Sequence, residues 1–110
     1  MIEIIWEYIV KEEALGQFEL AYGPGGAWSG LFSRSPGFRG LTLLRDAERP
    51  CRFLSVDVWD SIEHRERALA EHGADYAKLD SSFAKWTDSE TELGVFVVRG
   101  GAGVRPLGRR

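Results

Sequence analysis

From Ile2 to Val10 the chain alternates. The even positions read Ile2, Ile4, Trp6, Tyr8 and Val10, the odd ones Glu3, Ile5, Glu7 and Ile9. A period of two is the mark of a strand, here with one wholly apolar side and one mixed side. Next, Ala14, Leu15, Phe18, Ala21 and Tyr22 share one side of a helical spacing, with Glu12, Glu13, Gln17 and Glu19 opposite, which predicts an amphipathic helix. Gly23-Pro24-Gly25-Gly26 stops it, because proline lacks an amide proton and the glycines favour irregular backbone. Trp28, Leu31 and Phe32 keep the helical spacing and predict a short second piece before the turn at Ser35-Pro36-Gly37.

Two strands follow, Phe38 to Arg45 and Arg52 to Trp59, and the polar link Asp46 to Pro50 is short enough to make them a hairpin. Asp60 or Ser61 can cap the next helix, with Glu63 placed to complete a capping box if Asp60 is the cap. Leu69, His72, Tyr76, Leu79, Phe83 and Trp86 recur at steps of three and four, so they predict one long helix with a single apolar stripe. Gly73 interrupts it and favours a kink, at ~1 kcal/mol relative to alanine. Leu93, Val95, Phe96, Val97 and Val98 predict a closing strand. The tail, 100–110, has no periodicity and reads as a loose end or an arm lying on a partner.

This order predicts an α+β, ferredoxin-like β-α-β-β-α-β domain with a four-stranded antiparallel sheet, because right-handed crossovers place both helices on one face. If the all-apolar side of each strand turns to the helices, the other face carries Ile5, Ile9, Phe53 and Trp59 beside Glu3, Glu7, Ser55 and Asp57. Arg39 and Arg45 would then stand within reach of Glu3 or Glu7. So much apolar surface on a bare sheet predicts an interaction patch, and a twofold axis would cover it with a second copy, making a homodimer. A monomer with a half-wet sheet is the alternative.

Composition narrows the function classes. With 110 residues and 44% hydrophobic, the chain suits one core, assigned to residues 1–99. A net charge of −3 does not suit a phosphate backbone, so no nucleic-acid partner is expected. The first residues carry acids and no basic flank, unlike a signal peptide, and no apolar run nears the ~20 residues that span a bilayer. A cytoplasmic protein with no membrane partner is the expectation. Cys51 is the only cysteine, which excludes an intrachain disulfide, and it reads as an incidental thiol in a polar turn.

Three segments together resemble the antibiotic biosynthesis monooxygenase domain family. They are Ser35-Pro36-Gly37-Phe38-Arg39-Gly40 leading into a strand, Val56-Asp57-Val58-Trp59-Asp60-Ser61 entering a long helix, and the closing Leu93-Gly94-Val95-Phe96. The resemblance spans roughly residues 2 to 99 and implies a small dimeric α+β barrel. Its members include cofactor-independent oxygenases of polyphenolic compounds and haem-degrading enzymes. The haem-degrading branch uses an asparagine on the first strand, with a tryptophan and a histidine on the second long helix. Strand one has no asparagine here, and the places expected for the other two hold Ala68 and Lys78, so haem cleavage is not expected.

Cofactor-free oxygenation needs an acidic aromatic or enolic substrate, a base or polar group that favours its anion, and a dry pocket. His72 sits on the apolar stripe between Leu69 and Tyr76, where an imidazole could act near neutral pH; the same placement suits a hydrogen-bonded core histidine. Tyr76 could hydrogen-bond a phenol or quinone oxygen, or merely pack. His72 and Tyr76 are the catalytic candidates. Trp28, Phe32 and Tyr22 flank the glycine-rich break and could roof a pocket for a small, flat hydrophobic ligand, while Trp6 and Tyr8 could form its floor; core filling explains all five equally simply. His64 reads as a surface residue on the rim.

Neither a metal nor an organic cofactor is expected. The two histidines are eight apart with no compact ligand spacing around them, and Gly23 to Gly26 follows a helix and lacks the ending of a phosphate loop. The reading is a cofactor-independent monooxygenase acting on a phenolic or polyketide-like substrate. Its alternative is a non-catalytic homodimeric binding or assembly module of the same fold.

Overall fold

The computed structural model describes residues 1–101; the greater part of the predicted tail, 102–110, lies outside the described residues. Strand β1 (Ile2–Val10) passes through a single turn of 3-10 helix at Glu12–Ala14 into helix α1 (Leu15–Tyr22) and then α2 (Ala27–Phe32). The hairpin β2 (Phe38–Arg45) and β3 (Arg52–Trp59) leads into α3 (Ile62–Glu71), α4 (Gly73–Phe83) and the last strand, β4 (Thr87–Val97). The sheet runs β2-β3-β1-β4, antiparallel throughout, as the ferredoxin-like order requires.

Of three local features, the first two fall where the sequence pattern offered them and the third departs from it. The long helix breaks at His72 (φ −118°, ψ 22°), directly before Gly73, so α3 and α4 change direction there. The cap is Ser61 and not Asp60: its Oγ accepts from the His64 amide, while Asp60 is drawn off by the guanidinium of Arg39. And β4 begins at Thr87, well before Leu93, because Asp88 to Glu92 lie on an exposed sheet edge where charge is favoured and no apolar alternation is needed.

The larger correction concerns β3. Tyr8 lies opposite Phe53, Trp6 opposite Ser55, Ile4 opposite Asp57 and Ile2 opposite Trp59. Directly paired residues share a face, so Phe53, Ser55, Asp57 and Trp59 all turn towards the helices. Phe53 and Trp59 are each 1% exposed, and Ser55 and Asp57 are buried with them. Leu54, Val56 and Val58 take the other side of the sheet. The assumption that the all-apolar side of each strand points inward fails here because the two large aromatics outweigh three smaller aliphatics in the area they bury. Two polar residues are carried inward with them.

The core is built on β1 and α1. Phe18, fully buried, stacks on Tyr22 at 4.1 Å and meets Phe53 at 5.0 Å and Tyr8 at 5.3 Å. On the far side of the sheet Arg52 Nε donates to Glu7 at 2.7 Å and its terminal nitrogen reaches Asp46 at 3.1 Å. These pairs replace the expected contacts of Glu3 and Glu7 with Arg39 and Arg45. No helix among the described residues is long and apolar enough to cross a membrane.

Candidate functional site

Between the inner face of the sheet and the helices lies a cavity of about 220 Å³. Cavities of about 150 Å³ admit benzene, so this one has room for a fused ring system. Six of the seven site residues expected from sequence line it: Trp6 and Tyr8 from β1, Tyr22 from α1, Trp28 and Phe32 from α2, and Tyr76 from α4. The seventh, His72, is half-buried at the break between α3 and α4 and does not line the cavity. His64 bonds through Nδ1 to Ser61 Oγ at 2.7 Å and is likewise apart from it.

The glycine-rich break positions the roof. A side chain at Gly26 would overlap the carbonyl oxygens of Leu20 and Ala21, so only glycine lets the chain fold back sharply enough to start α2 there. Trp28 is thereby set 6.0 Å from Tyr22, 5.9 Å from Phe32 and 5.7 Å from Tyr76, ring centre to ring centre. Its indole Nε1 is buried and makes no well-formed hydrogen bond, though it is near enough to Tyr22 to favour the ionised phenol slightly. A buried donor without a partner is costly unless something else supplies an acceptor.

The polar lining is what the sequence reading missed. Ser55, Asp57, Arg65, Asp80 and Glu90 also border the cavity. Burial pushes the Asp57 carboxyl up to about 7, and only the charge of Arg65 opposes this. Burial also raises Asp80, and Glu90 is raised first by burial and then by Asp80 beside it. The hydroxyls of Tyr8, Tyr22 and Tyr76 are pushed well above the ordinary phenol range by burial, so they stay protonated and serve as neutral donors. One signal in the sequence did mark Asp57. It shares a strand side with Ser55 between Phe53 and Trp59, and large aromatics on both flanks identify the inward side of a strand.

This geometry can hold a flat apolar molecule, offer it hydroxyl and indole donors, and place a carboxylate poised near neutral pH against it. No histidine lines the cavity. Among the described residues no group of three or more His, Cys, Asp or Glu stands together as metal ligands.

No family model matches the sequence, and no curated protein matches it significantly. Solved structures do match. SnoaB, a cofactor-independent oxygenase from Streptomyces nogalater, superposes with a TM-score of 0.73 at 24% identity, over 91% of this chain and 94% of its own. A Nitrosomonas europaea protein assigned to the antibiotic biosynthesis monooxygenases gives 0.69 at 16% identity, over 91% of this chain and all of its own. The fold is that of the antibiotic biosynthesis monooxygenases. MhuD, solved as a mutant with two manganese protoporphyrin IX molecules per active site, also shares the fold, with a TM-score of 0.72 at 25% identity over 94% of this chain. The same fold is thus also found around a bound porphyrin.

Proposed function

We propose that this protein is a cofactor-independent monooxygenase that oxidises a hydroxylated fused-ring substrate with molecular oxygen. The observation that carries the reading is Asp57: a buried carboxyl with a pKa near 7, bordering a cavity lined by aromatic side chains. A base is most effective when its pKa lies near the working pH, and a dry aromatic site keeps the substrate anion from being quenched by water.

The reaction class that fits is oxidation of a ring methylene that is acidic because it flanks a phenolic ketone. Asp57 removes a proton from that carbon, and Arg65 offsets the charge of the resulting enolate. The enolate passes electrons to dioxygen and a carbon–oxygen bond forms, giving a peroxide that takes up the proton. Loss of the second carbon-bound proton then breaks the oxygen–oxygen bond. The methylene becomes a carbonyl and the departing oxygen leaves as water, so the four electrons taken from carbon match the four that reduce dioxygen. Tyr76, which borders the same cavity and feels the charges of Asp57 and Arg65, donates to the substrate oxygen in this reading.

The homodimer forms part of this reading. The outer sheet face presents Ile5, Ile9, Leu54, Val56 and Val58, all only half-buried, with Leu44 and Phe96 exposed beside them. A second copy packed by a twofold axis would cover this surface and close the barrel. The test of the function is oxygen uptake by chelator-treated protein with a panel of hydroxylated fused-ring ketones. One dioxygen consumed per carbonyl formed is expected. Binding without uptake across the whole panel would leave the non-catalytic module as the correct reading.

A further inference from the structure

The charges around the cavity are unevenly divided. Asp57 feels the charge of Arg65, and Tyr76 feels both. Tyr8 feels Asp57 and Glu90 together, while Glu90 feels Asp80 and Tyr22 feels both Asp80 and Glu90. Both of these acids are exposed at the rim, whereas Asp57 is buried. Among the described residues Arg65 is the one cation in the lining, against the carboxyl groups of Asp57, Asp80 and Glu90. Trp28, only 8% exposed, lines the same cavity, and its buried indole N–H makes no well-formed hydrogen bond.

An occupant must therefore satisfy two demands. It supplies an acceptor oxygen to Trp28 Nε1. It brings no negative charge past Asp80 and Glu90, where a second anion would meet two carboxylates in a partly desolvated setting. Resting on the oxygenase reading, we infer that this site selects hydroxylated fused-ring ketones without a free carboxylate, with Asp80 and Glu90 as the screen and Trp28 as the donor to a ring carbonyl. Specificity of this kind is repulsive: it discriminates against the acid form and adds little to the affinity of the neutral one. It also places the enzyme in a reaction order. A precursor that carries a carboxyl group has to be esterified or decarboxylated before it reaches this site.

The experiment compares two redox-inert ligands, a dihydroxyanthraquinone and its ring-carboxylated counterpart, by quenching of the tryptophan fluorescence at pH 8 and low salt. Trp6 and Trp28 border the cavity and report occupancy. The carboxylated ligand should bind at least about tenfold more weakly, and the Asp80→Asn/Glu90→Gln variant should reduce that ratio to about threefold or less. Both positions are exposed, so the variant tests charge without threatening the core. Equal binding of both ligands to the unaltered protein would overturn the screen and leave the oxygenase reading standing. A full ratio in the double variant would also overturn it. Binding of neither ligand would overturn the screen and the aromatic-ligand site together.

Discussion

Asp57 lies directly opposite Ile4 in the sheet, and both side chains point beneath the helices. Ile4 is 1% exposed and belongs there; Asp57, as a carboxylate, does not. A buried acid of this kind strains the fold whenever it is ionised. Asp57→Asn is therefore expected to stabilise the protein at pH 8, by about 1–3 kcal/mol after relaxation, as read from urea unfolding.

The same group sets a pH dependence of stability. The folded protein holds the Asp57 proton up to about 7, against an ordinary value of 3.8, so between these limits the folded state binds more protons than the unfolded one. The stability this supplies is complete below about pH 4 and is lost as pH rises through 7, with an upper limit of about 4 kcal/mol. Unfolding free energies measured from pH 4 to 8 should fall in the native protein. Over the same range the fall should be largely absent from Asp57→Asn.

Gly37 joins the turn after α2 to the start of the first helix beyond the hairpin. Its φ of +88° lies in the left-handed region, and a Cβ there would sit 2.5 Å from ring atoms of His64. Gly37→Ala should cost about 2 kcal/mol or more, and adding His64→Ala should recover only part of this, because the backbone strain remains. A double-mutant cycle in urea measures the split.

The outer sheet face predicts the oligomeric state. Val56 and Leu54 lie near its middle, paired with Ile5 and Glu7 on the neighbouring strand. The native chain should sediment with twice the mass of one copy, and Val56→Glu should sediment as a single copy.

Much of the fold is legible in the chain because its signals are local. Alternation in β1, the glycine-rich stop at Gly23 to Gly26 and the hairpin link are each written within a few residues, and the hairpin strands lie at the expected bounds. The orientation of β3 is a different kind of information. Its two sides, Phe53/Ser55/Asp57/Trp59 and Leu54/Val56/Val58, compete for the core, and the outcome depends on register against β1 and on the side-chain area each option buries. That single ambiguity hid Asp57. Residues such as Trp28 and Tyr76 were legible as pocket lining because aromatic size alone carries the signal. Asp80 and Glu90 were not, since an acid on a helix or an edge strand reads as solvent-facing until the fold brings the two together at one rim. His72 lies off the cavity for a related reason: the stripe carries it inward only along a straight helix, and the break expected at Gly73 falls at that residue.

The role given to Asp57 is tested most directly by kcat/KM for oxygen uptake in chelator-treated native protein and in Asp57→Asn, measured from pH 5 to 9 on one hydroxylated fused-ring ketone. In the native protein the value should rise about tenfold per pH unit and level off near 7, and Asp57→Asn should be lower by about two to four orders of magnitude with no such rise. An Asp57→Asn protein that takes up oxygen at the native rate, with the native pH profile, would contradict the account.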